Sequence, residues 1–302
     1  MDYICKLCGV KIEGNAHFWD EHRQKISDYF HQHEPRLTLD GQKVIFKKSI
    51  EGYFETDFND LNSRRAWAKQ NPEAARTYFI NLLLKRKQKK NWIYAPGQTL
   101  LTLSNLPKIA YFEKSFNKTF GEICRSLDFK IRYTNNIPKI NWSAGIEVTQ
   151  DTREQKPWIW PDHIKTNICK LDFGDYSLTG NHNLSLERKS LQDFCGSITS
   201  GNERFRKELS RAKKSKGYLT IIVESSFNDF RGLEYLPQMK HSKITFDHAS
   251  KSARDLYEDF DCFQIVFCSG RKHAVKIAEF ILKIGENIKC VDIQYLIDSK
   301  SI

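Results

Sequence analysis

The stretch from Gly174 to Leu191 reads "GDYSLTGNHNLSLERKSL". Polar and apolar residues alternate on either side of a Gly-Asn pair, the pattern of two strands joined by a turn. In "LSLERKSL" successive side chains alternate faces, so Glu187 and Lys189 point one way while Leu186, Arg188 and Ser190 point the other. If the hairpin turns around Asn181, Asp175 lies directly across from Glu187. Facing positions bring β-carbons to about 4.5–5.5 Å, where two like charges repel. A divalent cation between them turns that repulsion into attraction, and oxygen ligands of this kind suit a hard ion. A lysine beside such an ion can orient a nucleophile or offset charge in a phosphoryl transition state. The pattern points to phosphodiester hydrolysis.

Further carboxylates flank this hairpin. Upstream, "GIEVTQDTREQKPW" ends a strand with Asp151 and Glu154, and a strand end is well placed to extend an acidic cluster. Downstream, Asp193 has two readings: a metal- or water-binding carboxylate, or the partner of Ser190 in a capping box that starts the next helix.

Outward from the hairpin, the texture after "NNIP" at 135–138 is of strands alternating with helices. Strands are predicted in "AGIEVTQ", "IKTNICKL", "GYLTIIVES" and "CFQIVFC", with helices over about 247–260 and 271–284. The runs "LTIIV" and "FQIVF" largely lack alternation, as central strands covered on both faces do. Residues 136–302 are therefore read as an α/β domain. Before it, residues 55–135 read as a helical module. Its longest helix starts with Asn71 as cap, Pro72 at the first position and Glu73 in the first turn, and ends in a basic tail. Ala75, Phe79, Leu82 and Leu83 form its apolar face.

Residues 1–54 are read as a zinc-binding module with a small hairpin over 37–54. Cys5 and Cys8 on a tight turn, followed by His17 and His22, supply four tetrahedral ligands for a structural Zn²⁺. His31 and His33 are rival ligands. The other cysteines, Cys124, Cys169, Cys195, Cys262, Cys268 and Cys290, are scattered in mostly apolar company and read as reduced core residues.

The chain has 302 residues, with 48 Lys and Arg against 37 Asp and Glu, a formal charge of +11 that favours a polyanionic partner. Two clusters concentrate the charge: Lys85, Arg86, Lys87, Lys89 and Lys90, and then Arg204, Arg206, Lys207, Arg211, Lys213, Lys214 and Lys216. Both are candidates for DNA contact, and both can equally be solvated faces. No apolar run is long enough to span a bilayer. The first residues show no signal-peptide pattern, so an intracellular protein is expected, cytoplasmic if bacterial or phage and nuclear if eukaryotic.

"GDYSL" followed by "LERKSLQDF" resembles the XPF-type nuclease domain, whose signature is a GD pair, then ERK, three residues and D. "DTRE" upstream is similar to the Asp-x-Arg-Glu of that family's first strand, and the resemblance runs through "SGNERFRKEL" and "YLTIIVES" to about Lys283. It implies a restriction-endonuclease-like α/β core preceded by the zinc-binding and helical modules. It further implies that Asp151, Asp175 and Glu187 hold Mg²⁺ or Mn²⁺, with Arg153, Glu154, Arg188, Lys189 and Asp193 supporting the site. The family cuts branched or flap DNA, and a homodimer through the nuclease domain is a further expectation. Its eukaryotic and archaeal members usually continue into tandem helix-hairpin-helix modules, which the residues after this core do not suggest. In their place, "CKLCG" and "HFWDEH" resemble zinc fingers of mobile-element or phage nucleases. The function expected is therefore a metal-dependent DNA endonuclease, structure-specific as in DNA repair or site-specific as in a homing endonuclease. The alternatives are an inactive DNA-binding scaffold with a nuclease-like core, and an RNA-directed nuclease.

Overall fold

The computed structural model describes residues 3–4, 11–12, 68–239 and 242–302. Strands β1 (Tyr3–Ile4) and β2 (Lys11–Ile12) form an antiparallel ribbon in which Tyr3 pairs with Ile12. The proposed zinc ligands Cys5, Cys8, His17 and His22, their rivals His31 and His33, and the hairpin expected over 37–54 lie outside the described residues.

Helix α1 (Pro72–Lys90) begins on Pro72 and stops at Asn91, whose left-handed backbone (φ 50°) closes the last turn. Ala75, Tyr78, Phe79 and Leu83 form its buried face. Three shorter helices follow: α2 (Gln98–Leu103), α3 (Ile109–Phe116) and α4 (Phe120–Ser126), the last started by a Thr119/Glu122 capping box. Phe79, Leu83, Leu101, Phe112, Phe120 and Phe129 build a core shared by these helices.

The second half is a six-stranded mixed sheet in the order β4-β3-β5-β6-β7-β8. The strands are β3 (Ile146–Gln150), β4 (Ile164–Ile168), β5 (Tyr176–Leu178), β6 (Asn181–Lys189), β7 (Tyr218–Val223) and β8 (Phe263–Phe267). β5 runs antiparallel to β3 and β6, whereas β3 is parallel to β4, and β6, β7 and β8 are parallel to one another. Five strands thus share one direction, and β5 opposes them.

β7 is buried along its whole length because helices cover both faces. Leu219, Ile221 and Val223 enter one core with α5 (Leu191–Ile198), α6 (Asn202–Lys214), α7 (Phe227–Arg231) and α8 (Phe246–Asp259). Tyr218 and Ile222 enter the opposite core with α9 (Arg271–Ile284) and α10 (Ile293–Asp298). Four cysteines lie in these apolar interiors, and burial pushes the thiols of Cys124, Cys195 and Cys268 up to about 12. Cys169 and Cys290 are exposed, so they depart from the core role expected of them.

β8 is an edge strand, yet its outward backbone groups are matched by side chains from three helices. Thr99 of α2 donates to the Ile265 carbonyl at 2.7 Å. The Ile265 N–H donates to the Tyr257 hydroxyl of α8 at 2.9 Å, and the Phe267 N–H donates to Gln294 Oε1 of α10 at 2.7 Å. These bonds close the edge and tie the helical segment to the sheet. Among the described residues, no helix is long and apolar enough to cross a membrane.

Gln294→Leu would leave the buried Phe267 N–H without an acceptor. Urea unfolding is expected to show a loss of about 1–3 kcal/mol, the usual penalty for such a group.

Candidate active site

Because β5 runs against its neighbours, its start lies at the same edge of the sheet as the carboxyl ends of β3, β6, β7 and β8. That edge gathers Asp151, Arg153 and Glu154 after β3, Asp175 before β5, and Glu187, Arg188 and Lys189 on β6. It also holds Glu224 after β7 and Arg271 at the start of α9. The carboxyl edge of parallel strands is where open α/β sheets commonly place their sites.

Tyr176 pairs with Leu186, so the same register carried one residue outward sets Asp175 across from Glu187. The Asp175 N–H donates to the Leu186 carbonyl at 2.7 Å, and the Arg188 N–H donates to Asp175 Oδ2 at 2.8 Å. The turn differs from the expected one. Leu178 pairs with Asn181, so the turn residues are Thr179 and Gly180 (φ +82°), and a register shift between Ser177 and Leu178 restores the opposition. A bulge, and not a turn centred on Asn181, aligns the two carboxylates.

Gly174 makes the entry into β5 possible. Its φ is +74°, and an added β-carbon would meet Ser185 Cβ at 2.8 Å and the Leu186 carbonyl oxygen at 3.0 Å. Its N–H donates to Glu208 Oε1 of α6 at 3.0 Å. Glu208 was not singled out in the sequence because it sits within a basic run. The signal available was its place beside Leu209 and three residues after Phe205, two residues that α6 buries.

Glu187 is 5% exposed. Burial, with the charges of Asp175 and Glu208 added, raises its carboxyl well above the usual range. Burial likewise pushes Asp175 up to about 7, with Glu154 and Glu208 adding to it against the Arg188 N–H and the Lys189 charge. Lys189 stands on the same face as Glu187, its Nζ 2.5 Å from Oε1. Burial works to lower the Lys189 ammonium, but Glu187, Asp175 and Glu208 together raise it and keep it charged.

Asp151 is arranged differently. Its Oδ1 accepts from Arg153 Nε at 2.7 Å and the Arg153 N–H at 2.8 Å, and its Oδ2 accepts from Arg153 Nη2 at 2.9 Å and the Leu171 N–H at 2.7 Å. Burial would raise this carboxyl, but these donors outweigh it and hold it below its ordinary value. Among the described residues no three His, Cys, Asp or Glu side chains form a ready ligand set. The trio expected at the cation divides into an opposed pair, Asp175 and Glu187, and a carboxylate already engaged by arginine. The chemistry of the pair fits a cation: a buried and a half-buried carboxylate face each other, and the one ammonium at hand is bound to Glu187 alone.

On the other face of β6, Arg188 bonds Glu154 at 3.2 and 3.3 Å and Glu224 at 3.3 Å. Glu224 also accepts from Trp158 Nε1 at 2.7 Å and from Arg271 at 3.1 Å. Neither Glu224 nor Arg271 was anticipated, although each follows the end of an apolar strand. Asp193 is exposed and belongs to the start of α5, where the Ser190 hydroxyl donates to its Oδ2 at 2.7 Å and accepts from its N–H at 3.1 Å. Ser190 thus caps α5, but its hydroxyl rather than its backbone N–H bonds the Asp193 carboxylate, so the reciprocal bond of a capping box is not made.

The basic clusters are only partly open to solvent. Lys87 donates to the Leu127 and Asp128 carbonyls at 2.7 and 3.0 Å, and Lys90 pairs with Glu258 at 2.7 Å. Arg206 pairs with Asp259 at 2.6 Å, Arg211 donates to the Asp172 carbonyl at 2.8 Å, and Lys213 reaches the Asp259 carbonyl at 3.5 Å. These five residues bind the fold to itself and are not simply a solvated face. Arg86 is half-buried, and Lys85, Lys89, Arg204, Lys207, Lys214 and Lys216 are exposed.

The ERCC4 domain, an XPF-type nuclease domain, matches residues 150–281. That span contains every group gathered at the carboxyl edge. No curated protein matches the chain. Among solved structures, "XPF from Aeropyrum pernix, complex with DNA" is similar at a TM-score of 0.33 and 21% identity, covering 44% of this chain and 62% of that one. A second structure of XPF from Aeropyrum pernix is similar at a TM-score of 0.33 and 19% identity, over 51% and 69% of the two chains. The chain therefore spans less than two thirds of the first of these.

Two outcomes test this geometry. Gly174→Ala is expected to lower stability by about 1–3 kcal/mol in urea unfolding, because the left-handed backbone and the contact with β6 both oppose a β-carbon. In metal-free protein, the raised Asp175 carboxyl contributes stability that is full below the unfolded value of 3.8 and is lost as pH rises through about 7. Asp175→Asn should therefore melt higher than wild type at pH 8 in chelator, with the gap closing towards pH 4.

Proposed function

We propose that the carboxyl-edge cluster hydrolyses phosphodiester bonds in DNA, using Mg²⁺ or Mn²⁺ held by Asp175 and Glu187. The observation that carries this is the pair itself: a buried Glu187 and a half-buried Asp175 opposed across a hairpin, with Lys189 against Glu187. The ERCC4 domain match over the same residues and the formal charge of +11 support a nuclease acting on a polyanion.

A divalent cation bound there supplies Lewis-acid polarisation of a phosphoryl oxygen and a more acidic water. The chain's own groups do the remainder. Glu187 holds the Lys189 ammonium at the end of β6, where it can orient a water for attack and offset charge on the phosphate. Glu154 and Glu224 anchor the Arg188 side chain, which steadies the strand whose N–H bonds Asp175. Arg153 keeps Asp151 ionised at the same edge of the sheet, within an ion pair. The exposed cations of α6 and α1 lie within reach of solvent for phosphate contact.

Selection of flap, fork or junction DNA, as the XPF-type resemblance implies, is the preferred form of this activity. In front of it, Cys5, Cys8, His17 and His22 have the types and spacing of a structural zinc site, and metal analysis of the purified protein tests that assignment.

The test is cleavage of linear, nicked, flap, fork and four-way DNAs beside a supercoiled plasmid with Mg²⁺ or Mn²⁺. Asp175→Asn and Glu187→Gln are expected to lose at least about 10³-fold in rate while binding DNA nearly as wild type does, and Lys189→Ala about 10²–10³-fold. Wild-type turnover by the carboxylate variants would overturn the assignment.

A further inference from the structure

The loop between β3 and β4 carries an isoleucine, Ile159, that is 89% exposed. A lone exposed apolar side chain is ordinary on a protein surface. What sets this one apart is the fixed support beneath it. Trp158, the residue before, is buried and stacks on Tyr176 at 4.5 Å between ring centroids and 11° between planes. Its N–H donates to the Tyr176 hydroxyl at 2.8 Å and its indole N–H to Glu224 at 2.7 Å. Trp160, the residue after, stands edge-on to Trp158 and Tyr176 at 5.6 Å from each. Arg271 donates to the Lys156 and Pro157 carbonyls at 2.7 and 2.6 Å, and prolines 157 and 161 bracket the tip. Two tryptophans, two prolines and an arginine thus immobilise a short apolar tip in water.

The support is continuous with the proposed active site. Glu224 holds Trp158 and Arg188 together, Glu154 opens the same loop and bonds Arg188, and Tyr176 directly follows Asp175. The tip therefore stands at the same carboxyl edge as Glu187 and Lys189, on the Arg188 face of β6. The exposed charges near it are mixed: Lys156 in the loop and Arg271, which bonds the loop backbone, are cationic, and Asp162 is anionic. An apolar side chain presented rigidly at a protein surface can enter a base step, unstack it and bend the duplex. Pre-ordering the tip removes the entropy loss that a mobile loop would suffer on insertion.

We propose that Ile159 is a wedge that inserts between stacked bases of duplex DNA beside the bond to be cut. The inference rests on the nuclease reading above, since it takes DNA as the partner. It adds how the DNA is deformed and which residue does it.

The probe is a set of duplex and fork oligonucleotides, each carrying 2-aminopurine at one of successive positions, bound to full-length protein with Ca²⁺ in place of Mg²⁺. Wild type and Ile159→Leu are expected to raise the fluorescence several-fold at one base step, and Ile159→Ala to leave it at the level of free DNA. With Mg²⁺, Ile159→Ala is expected to cleave about tenfold more slowly or less, with unchanged melting because its side chain makes little contact with the fold. A signal equal in wild type and Ile159→Ala, or no signal from bound wild type, would overturn the wedge. So would a concentration-dependent dimer lost in Ile159→Ala, which would assign the tip to self-association. Absence of cleavage by wild type, with the fluorescence step present and lost in Ile159→Ala, would count against the nuclease reading and leave the wedge standing.

Discussion

Asp175 and Glu187 face each other at the end of a hairpin, buried enough that neither carries its charge comfortably, and a single lysine lies against one of them. In water such a pair would separate. Here the sheet register prevents separation, since the Asp175 N–H is bonded to the Leu186 carbonyl and the Asp175 carboxylate to the Arg188 N–H. The protein thus holds two acids where one proton, one ammonium or one cation must settle their repulsion. Most of the architecture around the carboxyl edge can be understood as what keeps that arrangement in place.

Three devices maintain it. A bulge in β5 sets the opposition. Gly174, left-handed and packed on β6, allows the chain to enter the strand at that point, and Glu208 of α6 accepts its N–H. The Glu154–Arg188–Glu224–Arg271 chain of ion pairs then joins the ends of β3, β6, β7 and β8 into one rigid rim. Charges alternate along that rim, so each arginine is matched. The Asp175–Glu187–Glu208 side has only Lys189 and the nearby Arg153 to balance it. Positive charge from outside is therefore favoured at the Asp175–Glu187–Glu208 side and not along the matched rim.

Much of this is legible in the sequence. The apolar runs "LTIIV" and "FQIVF" lack alternation because both faces are covered, and they form β7 and β8. Pro72 and Glu73 mark the start of α1, and the hairpin's alternation sets Glu187 and Lys189 on one face. Period and capping are local properties, and a sequence records them. The bulge at Ser177/Leu178 was not legible, since "SLTGN" permits several turns and only pairing with β3 and β6 selects one. Glu208, Glu224 and Arg271 were missed because their importance depends on contacts between residues 34 to 47 positions apart. The engagement of Asp151 by Arg153 and Leu171 belongs to the same class: the DTRE pattern marks the residue, but the loop that returns to cover it is set by the tertiary fold.

The most direct test of the opposed pair is titration calorimetry of Mn²⁺ into chelator-treated protein at pH 7, repeated in buffers of different ionisation enthalpy. If the raised acids give up protons to a cation, binding should release about one proton per ion. Affinity should rise with pH, and both effects should vanish in Asp175→Asn. Mn²⁺ binding without proton release, or with equal affinity in that variant, would show that these two carboxylates are not what the ion meets.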